Sequence, residues 1–228
     1  MARFKAVLSD IDGTLTDSED LHRDGYLKIN TDLGVEFAEG ELEDGVGVAL
    51  SDKYGELKDR FNEPLSYQEW ADRLAAYYVL NADKITIMPG AKDFLDRADQ
   101  NGLALGAVTN AQRSEGAASL ARMGREGDLF AFMVAVEDVP RPKPAPDSYL
   151  LGTEKLGINP KDIVVIEDSP VGVAAAKAAG MTCIQIQHDP SLINDNADLI
   201  VPRLDDPRVA AFLEFKPEPG NTPRRPGQ

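Results

Sequence analysis

Short apolar runs separated by longer amphipathic stretches constrain this chain most strongly, because runs of that length and composition read as strands buried on both faces of a parallel sheet. They occupy residues 6–9, 103–108, 132–136, 163–167 and 183–187, with an edge piece expected at 199–201. The helices between them have legible ends. Pro89 opens a run in which Ala91, Phe94, Leu95 and Ala98 share one face, and Gly102 closes it. Pro146 and Asp147 lead into a second helix ending near Gly157, and a third runs through 171–179 to stop at Gly180. Strands separated by helices imply an α/β fold with a doubly wound parallel sheet.

Residues 17–87 break this grammar. They hold long amphipathic segments and no clear strand, a length suited to a small helical bundle, and read as an inserted all-α cap. Within it Ser66-Tyr67-Gln68-Glu69 fits a capping box, and Trp70, Leu74 and Tyr77 or Tyr78 follow at helical spacing as the core of that unit. The organisation expected is a discontinuous core of 1–16 and 88–215, a cap of 17–87 and a disordered tail of 216–228, which carries four prolines and two glycines and little apolar surface. A chain of 228 residues suffices for one such core and one smaller unit.

With 24 basic and 39 acidic side chains the formal charge is -15, which repels polyanions and argues against nucleic acid as a partner. An anionic substrate would then need a cation and a few basic groups to reverse the field locally. The single cysteine, Cys183, forms no intrachain disulfide and sits in an apolar run, as a core thiol does. The apolar stretch before Ser9 is shorter than a signal peptide or a membrane span requires, so a cytoplasmic location and no membrane partner are expected.

Four clusters carry chemistry. Asp10-Ile11-Asp12-Gly13-Thr14 follows the first strand, at the carboxyl edge where open α/β sheets bind ligands. Alternation along an extended segment would point Asp10 and Asp12 the same way, with Gly13 permitting a sharp turn. Asp-x-Asp-Gly also begins calcium loops. Counted from Asp10, however, the fifth and twelfth places hold Thr14 and Leu21, and a strand rather than a helix precedes the motif. Glu167-Asp168 ends another strand and, in a parallel sheet, reaches the same edge, giving the oxygen-rich shell that Mg²⁺ prefers. Thr109-Asn110 ends a third strand with a hydroxyl and an amide suited to a phosphoryl oxygen. Lys143, bracketed by Pro142 and Pro144, would be a surface-turn lysine by itself, and a directed ammonium in company with the other clusters.

With these motifs in this order the chain resembles the haloacid dehalogenase superfamily over roughly 4–200, in the phosphatase and phosphomutase branch that carries a helical cap after the first motif and includes β-phosphoglucomutase and phosphoglycolate phosphatase. The resemblance implies that Asp10 attacks phosphorus, that Mg²⁺ bridges Asp10 and a phosphoryl oxygen, and that Thr109, Asn110 and Lys143 receive the phosphate. It implies metal ligation by Asp10, Asp168, Glu167 directly or through water, and the Asp12 backbone carbonyl. The Asp12 side chain would be general acid and then general base. His22 either faces the site from the cap or is a solvated helix histidine, and His188 matches no motif.

Relatives of the mutase kind place an arginine soon after a cap glycine, whereas Gly47 here precedes Val48-Ala49-Leu50, the nearest cations being Lys53 and Arg60. Hydrolysis of a small phosphorylated metabolite, a sugar phosphate or phosphoglycolate, is therefore the leading expectation, with an intramolecular phosphotransferase of the β-phosphoglucomutase kind as the alternative. A non-catalytic metabolite sensor is the third reading, opposed by the cost of holding so many carboxylates together without a metal. A monomer or small homo-oligomer is expected.

Overall fold

A computed structural model of the protein describes residues 3–38, 50–187 and 189–216. Six strands form one parallel sheet: β1 (Ala6–Ser9), β4 (Ala104–Val108), β5 (Met133–Val134), β6 (Ile163–Glu167), β7 (Thr182–Ile186) and β8 (Leu199–Val201), in the order β5-β4-β1-β6-β7-β8. Each expected strand is present, three of the six with the expected bounds and three shifted or trimmed. The expected run at 132–136 is the shortest, because Val136 already belongs to a 3₁₀ turn, Val136–Asp138.

Alternate residues of the central strand enter different cores. Val7 packs with Leu105, Val164, Ile184 and, from helix α4 (Ala91–Gln100), with Phe94 and Leu95. Ala6 and Leu8 pack with Val108, Val165 and Cys183, and with Tyr149 of α6 (Asp147–Leu156) and Val173 of α7 (Pro170–Ala178). Both faces are therefore covered, which is why the strands read as near-continuous apolar runs. Cys183 is fully buried, and burial pushes its thiol well above the ordinary cysteine value, which suits a packing residue. Helix α5 (Arg113–Met123) follows β4, and α8 (Pro207–Leu213) closes the described chain.

One feature departs from the sequence reading. The supposedly strandless stretch begins and ends in strand, β2 (Thr16–Asp17) pairing antiparallel with β3 (Thr86–Ile87). Strands of two residues have no periodicity to display, so pattern analysis misses them.

The chain divides into two compact units, one holding everything up to Asp17 and from Thr86 onward, the other Ser18–Ile85. Helices α1 (Glu19–Asp32), α2 (Leu50–Leu57) and α3 (Tyr67–Leu80) build the second. Its centre is Trp70, fully buried among Leu33, Val35 and Leu57, with its indole N–H donating to Asn30 Oδ1 at 2.9 Å. The Ser66–Glu69 capping box forms as expected at the start of α3. Gly47, Val48 and Ala49, His188 and the tail from 217 on, on which the sequence reading also commented, lie outside the described residues. Among the described residues no helix is long and apolar enough to cross a membrane.

Candidate active site

Register decides where the motifs meet. Ser9 of β1 is aligned with Ala107 of β4 and with Ile166 of β6, so Asp10, Val108 and Glu167 leave the sheet at one level. After β1 successive strands are laid first to one side and then to the other, and the crevice at that reversal is where such sheets bind ligands.

Lys143 is the hub. Its ammonium donates to Asp10 Oδ1 at 2.6 Å, to Glu167 Oε1 at 2.6 Å and to the Val108 carbonyl at 2.9 Å, which uses all three of its hydrogens. Lys143 and Glu167 are buried, with side chains 2% and 0% exposed. Asn110 holds the lysine's backbone by two hydrogen bonds, accepting from Lys143 N through Oδ1 at 2.9 Å and donating to Lys143 O through Nδ2 at 3.2 Å. One of the two hydrogens of its amide, which the sequence assigns to a phosphoryl oxygen, is thus engaged in fixing the loop. Thr109 is buried, and its Oγ1 accepts from the Ala111 N–H at 2.9 Å, leaving the hydroxyl hydrogen to be directed elsewhere.

Carboxylate oxygens of Asp10, Glu167 and Asp168 lie within 4.8 Å of one another. Burial pushes Asp10 well above the usual carboxylate range; Lys143 pulls it back, and Glu167 and Asp168 push it further up. Burial, then the neighbouring Glu167, pushes Asp168 up to about 7, against a hydrogen bond from Thr14 Oγ1 at 3.0 Å. Burial opposes the charged form of Lys143, but Asp10 and Glu167 outweigh it and hold the ammonium above the ordinary lysine value. When all three are ionised, these carboxylates carry two more negative charges than the one ammonium beside them offsets. A divalent cation with a preference for hard oxygen donors fits that deficit.

Asp12 stands outside this trio. The chain folds back just before it, the Ile11 carbonyl accepting from the N–H groups of Leu15 and Thr16, and the Asp12 carboxylate accepts from Ser119 Oγ of α5 at 3.3 Å. Strand alternation, on which the expectation of a shared direction rested, ends with β1. His22 belongs to the helical unit, where its exposed ring lies 4.5 Å from that of Tyr78.

Gly13 adopts φ +80°, and a Cβ there would stand 2.4 Å from Asp168 Oδ2. Gly13→Ala is expected to lose about 1–2 kcal/mol from left-handed strain alone, and to displace Asp168 besides. Denaturant unfolding checks it, and an unchanged midpoint would show that the loop relaxes freely.

Sequence reading missed Tyr149, whose hydroxyl donates to Glu167 Oε1 at 2.7 Å, and Ser169, whose hydroxyl donates to Glu167 Oε2 at 3.0 Å. Tyr149 offered only its place on the apolar face of a helix as a signal, and Ser169 only its position before a helix-opening proline.

Comparison with known proteins identifies the family. A family model described as haloacid dehalogenase-like hydrolase matches residues 4–180. Validoxylamine A 7'-phosphate phosphatase of Streptomyces hygroscopicus subsp. limoneus is 28% identical over 90% of this chain and 96% of its own. Hexitol phosphatase B of Escherichia coli O157:H7 is 31% identical over 85% of this chain and 90% of its own. In fold, the crystal structure of CbbY from Rhodobacter sphaeroides in complex with phosphate matches with TM-score 0.83 at 24% identity, over 93% of this chain and 100% of that one. From the matched family model and the extent of these likenesses, the chain belongs to the haloacid dehalogenase-like hydrolases, among relatives that are phosphatases by name.

Proposed function

We propose that the protein is a magnesium-dependent phosphomonoester hydrolase that acts on a small phosphorylated metabolite, a sugar phosphate or a phosphoglycolate-like ester, through an aspartyl-phosphate on Asp10. The observation that carries this reading is the buried Lys143 ammonium held 2.6 Å from Asp10, beside two further carboxylates that it cannot neutralise alone. Relatives named for validoxylamine A 7'-phosphate and for hexitol support the substrate class.

In this reading an Asp10 oxygen forms a bond to phosphorus as the ester oxygen leaves. Asp12 gives its proton to that oxygen, then takes one from the incoming water, whose oxygen attacks phosphorus and releases inorganic phosphate with Asp10 restored. Ser119, donating to Asp12 at 3.3 Å, helps to orient that side chain. Lys143 and Thr109 face the charge that builds up on the transferred group, and Asn110 serves by holding the Lys143 backbone. Asp10, Asp168 and the Asp12 carbonyl, with Glu167 directly or through water, would hold Mg²⁺. When bound, the ion supplies positive charge to the phosphoryl oxygens and to the carboxylate trio.

The test is incubation with Mg²⁺ and a panel of phosphorylated metabolites, including a hexose 1-phosphate with a bisphosphate primer. Accumulation of inorganic phosphate is expected. Accumulation of the isomeric hexose phosphate instead would replace hydrolysis by intramolecular transfer, and no turnover of any ester would overturn the reading.

A further inference from the structure

Glu167 accepts hydrogen bonds at both oxygens, and two side-chain donors to it have no part in the steps above. Oε1 receives Lys143 Nζ at 2.6 Å and Tyr149 OH at 2.7 Å, while Oε2 receives Ser169 Oγ at 3.0 Å and Ser169 N at 3.3 Å. The first turn of α7 closes over the same carboxylate, since a Cβ at Gly172 would fall 1.8 Å from Oε1. Tyr149 is fully buried, and its ring centroid lies 5.0 Å from the Lys143 nitrogen. A phenol in an apolar layer would cost stability without a partner, and here that partner is the carboxylate that also holds the lysine.

We propose that Tyr149 and Ser169 are positioning residues: together they fix the Glu167 carboxylate, and that carboxylate sets where the Lys143 ammonium stands relative to the attacking oxygen of Asp10. The inference rests on the phosphoryl-transfer reading above. Lys143 spends its three hydrogens on Asp10, Glu167 and the Val108 carbonyl, so its place is a balance among three acceptors. Withdrawing the phenol hydroxyl leaves a lone pair of Oε1 unserved in a dry site, and the carboxylate then draws the ammonium toward itself and away from Asp10. Because Lys143 counters charge that grows during transfer, a displaced ammonium lowers kcat more than it raises KM.

The experiment uses the full chain with saturating Mg²⁺ and an aryl phosphate, comparing wild type, Tyr149→Phe, Lys143→Ala and the double variant, with Asp10→Asn alongside. Tyr149→Phe is expected to lower kcat roughly tenfold or more with KM little changed. In the Lys143→Ala background the same substitution is expected to add less than about twofold, because its route of action is gone. A folded Tyr149→Phe with wild-type kcat, or an equal loss with and without Lys143, overturns the proposal. Should Tyr149→Phe not fold, Ser169→Ala, which withdraws the hydroxyl on the opposite oxygen, carries the same cycle. Should Lys143→Ala fall below detection, the ¹H–¹⁵N resonance of the Lys143 ammonium, identified by its loss in that variant, is read instead: it moves in Tyr149→Phe if the proposal holds and stays in place if it fails. Asp10→Asn separates the two levels of argument. Full turnover in Asp10→Asn sinks the covalent reading itself, whereas an inactive Asp10→Asn beside an unimpaired Tyr149→Phe sinks only the positioning role.

Discussion

Asp10→Asn is expected to abolish turnover of a phosphate monoester, with kcat falling on the order of 10⁴-fold or more, because a neutral amide offers no anionic oxygen to attack phosphorus. The substitution preserves shape, and its effect on folding runs the other way. With Asp10 neutral, Lys143 keeps Glu167 and the Val108 carbonyl as acceptors, and the cluster drops from three carboxylates around one ammonium to two. Burial and like charge are what push Asp10 upward, so removing its charge relieves both. In chelator, Asp10→Asn should therefore melt no lower than wild type. Thermal unfolding beside steady-state kinetics checks this. Lost activity together with a collapsed melting temperature would make Asp10 a structural residue instead of the nucleophile.

Chelation of Mg²⁺ is expected to abolish turnover as completely, and to leave a signature in stability that depends on pH. Asp168 is pushed up to about 7 in the folded protein, above its ordinary value of 3.8, so the unfolded chain binds fewer protons than the folded one between those pH values. Stability of the metal-free protein should accordingly fall as pH rises from about 4 to 7, by at most about 1.4 kcal/mol per pH unit from this group, and level off above. A bound divalent cation takes the place of the proton. Saturating Mg²⁺ should thus raise the melting temperature most at pH 7 and above, and least near pH 5. Melting curves at several pH values, with chelator and with Mg²⁺, decide the matter. A stabilisation by Mg²⁺ that is largest at low pH would contradict the account of the carboxylate trio.

Much of this was legible before any coordinates. The apolar run at 163–167 maps onto β6 residue for residue, since burial on both faces demands unbroken Val and Ile. The capping box at Ser66 was equally plain, because its donors and acceptors are three residues apart. Asn110 shows where such reading stops. As an amide at a strand end it could serve a phosphate or a backbone, and its choice of Lys143, 33 residues away, depends on how the proline-bracketed loop returns to β4. Tyr149 is similar, since helical spacing says that it is buried but not that its hydroxyl meets Glu167 at the end of β6. The argument for the direction of Asp12 fails for a local reason. Strand alternation does not extend three residues past β1, into a turn that the Ile11 carbonyl organises.

By itself, the order of residues determined the doubly wound sheet, the interruption after its first strand and the residue types that gather at its carboxyl edge. These depend on hydrophobic period, helix punctuation and chain order, which are properties of neighbouring residues. Only the tertiary structure decided that one buried ammonium stands among three carboxylates, that a tyrosine and a serine donate to Glu167, and that Asp12 accepts from Ser119. Those facts follow from the register of β1 against β4 and β6 and from helices packed across the sheet, and an alignment of strands by one residue either way would have dispersed the same side chains.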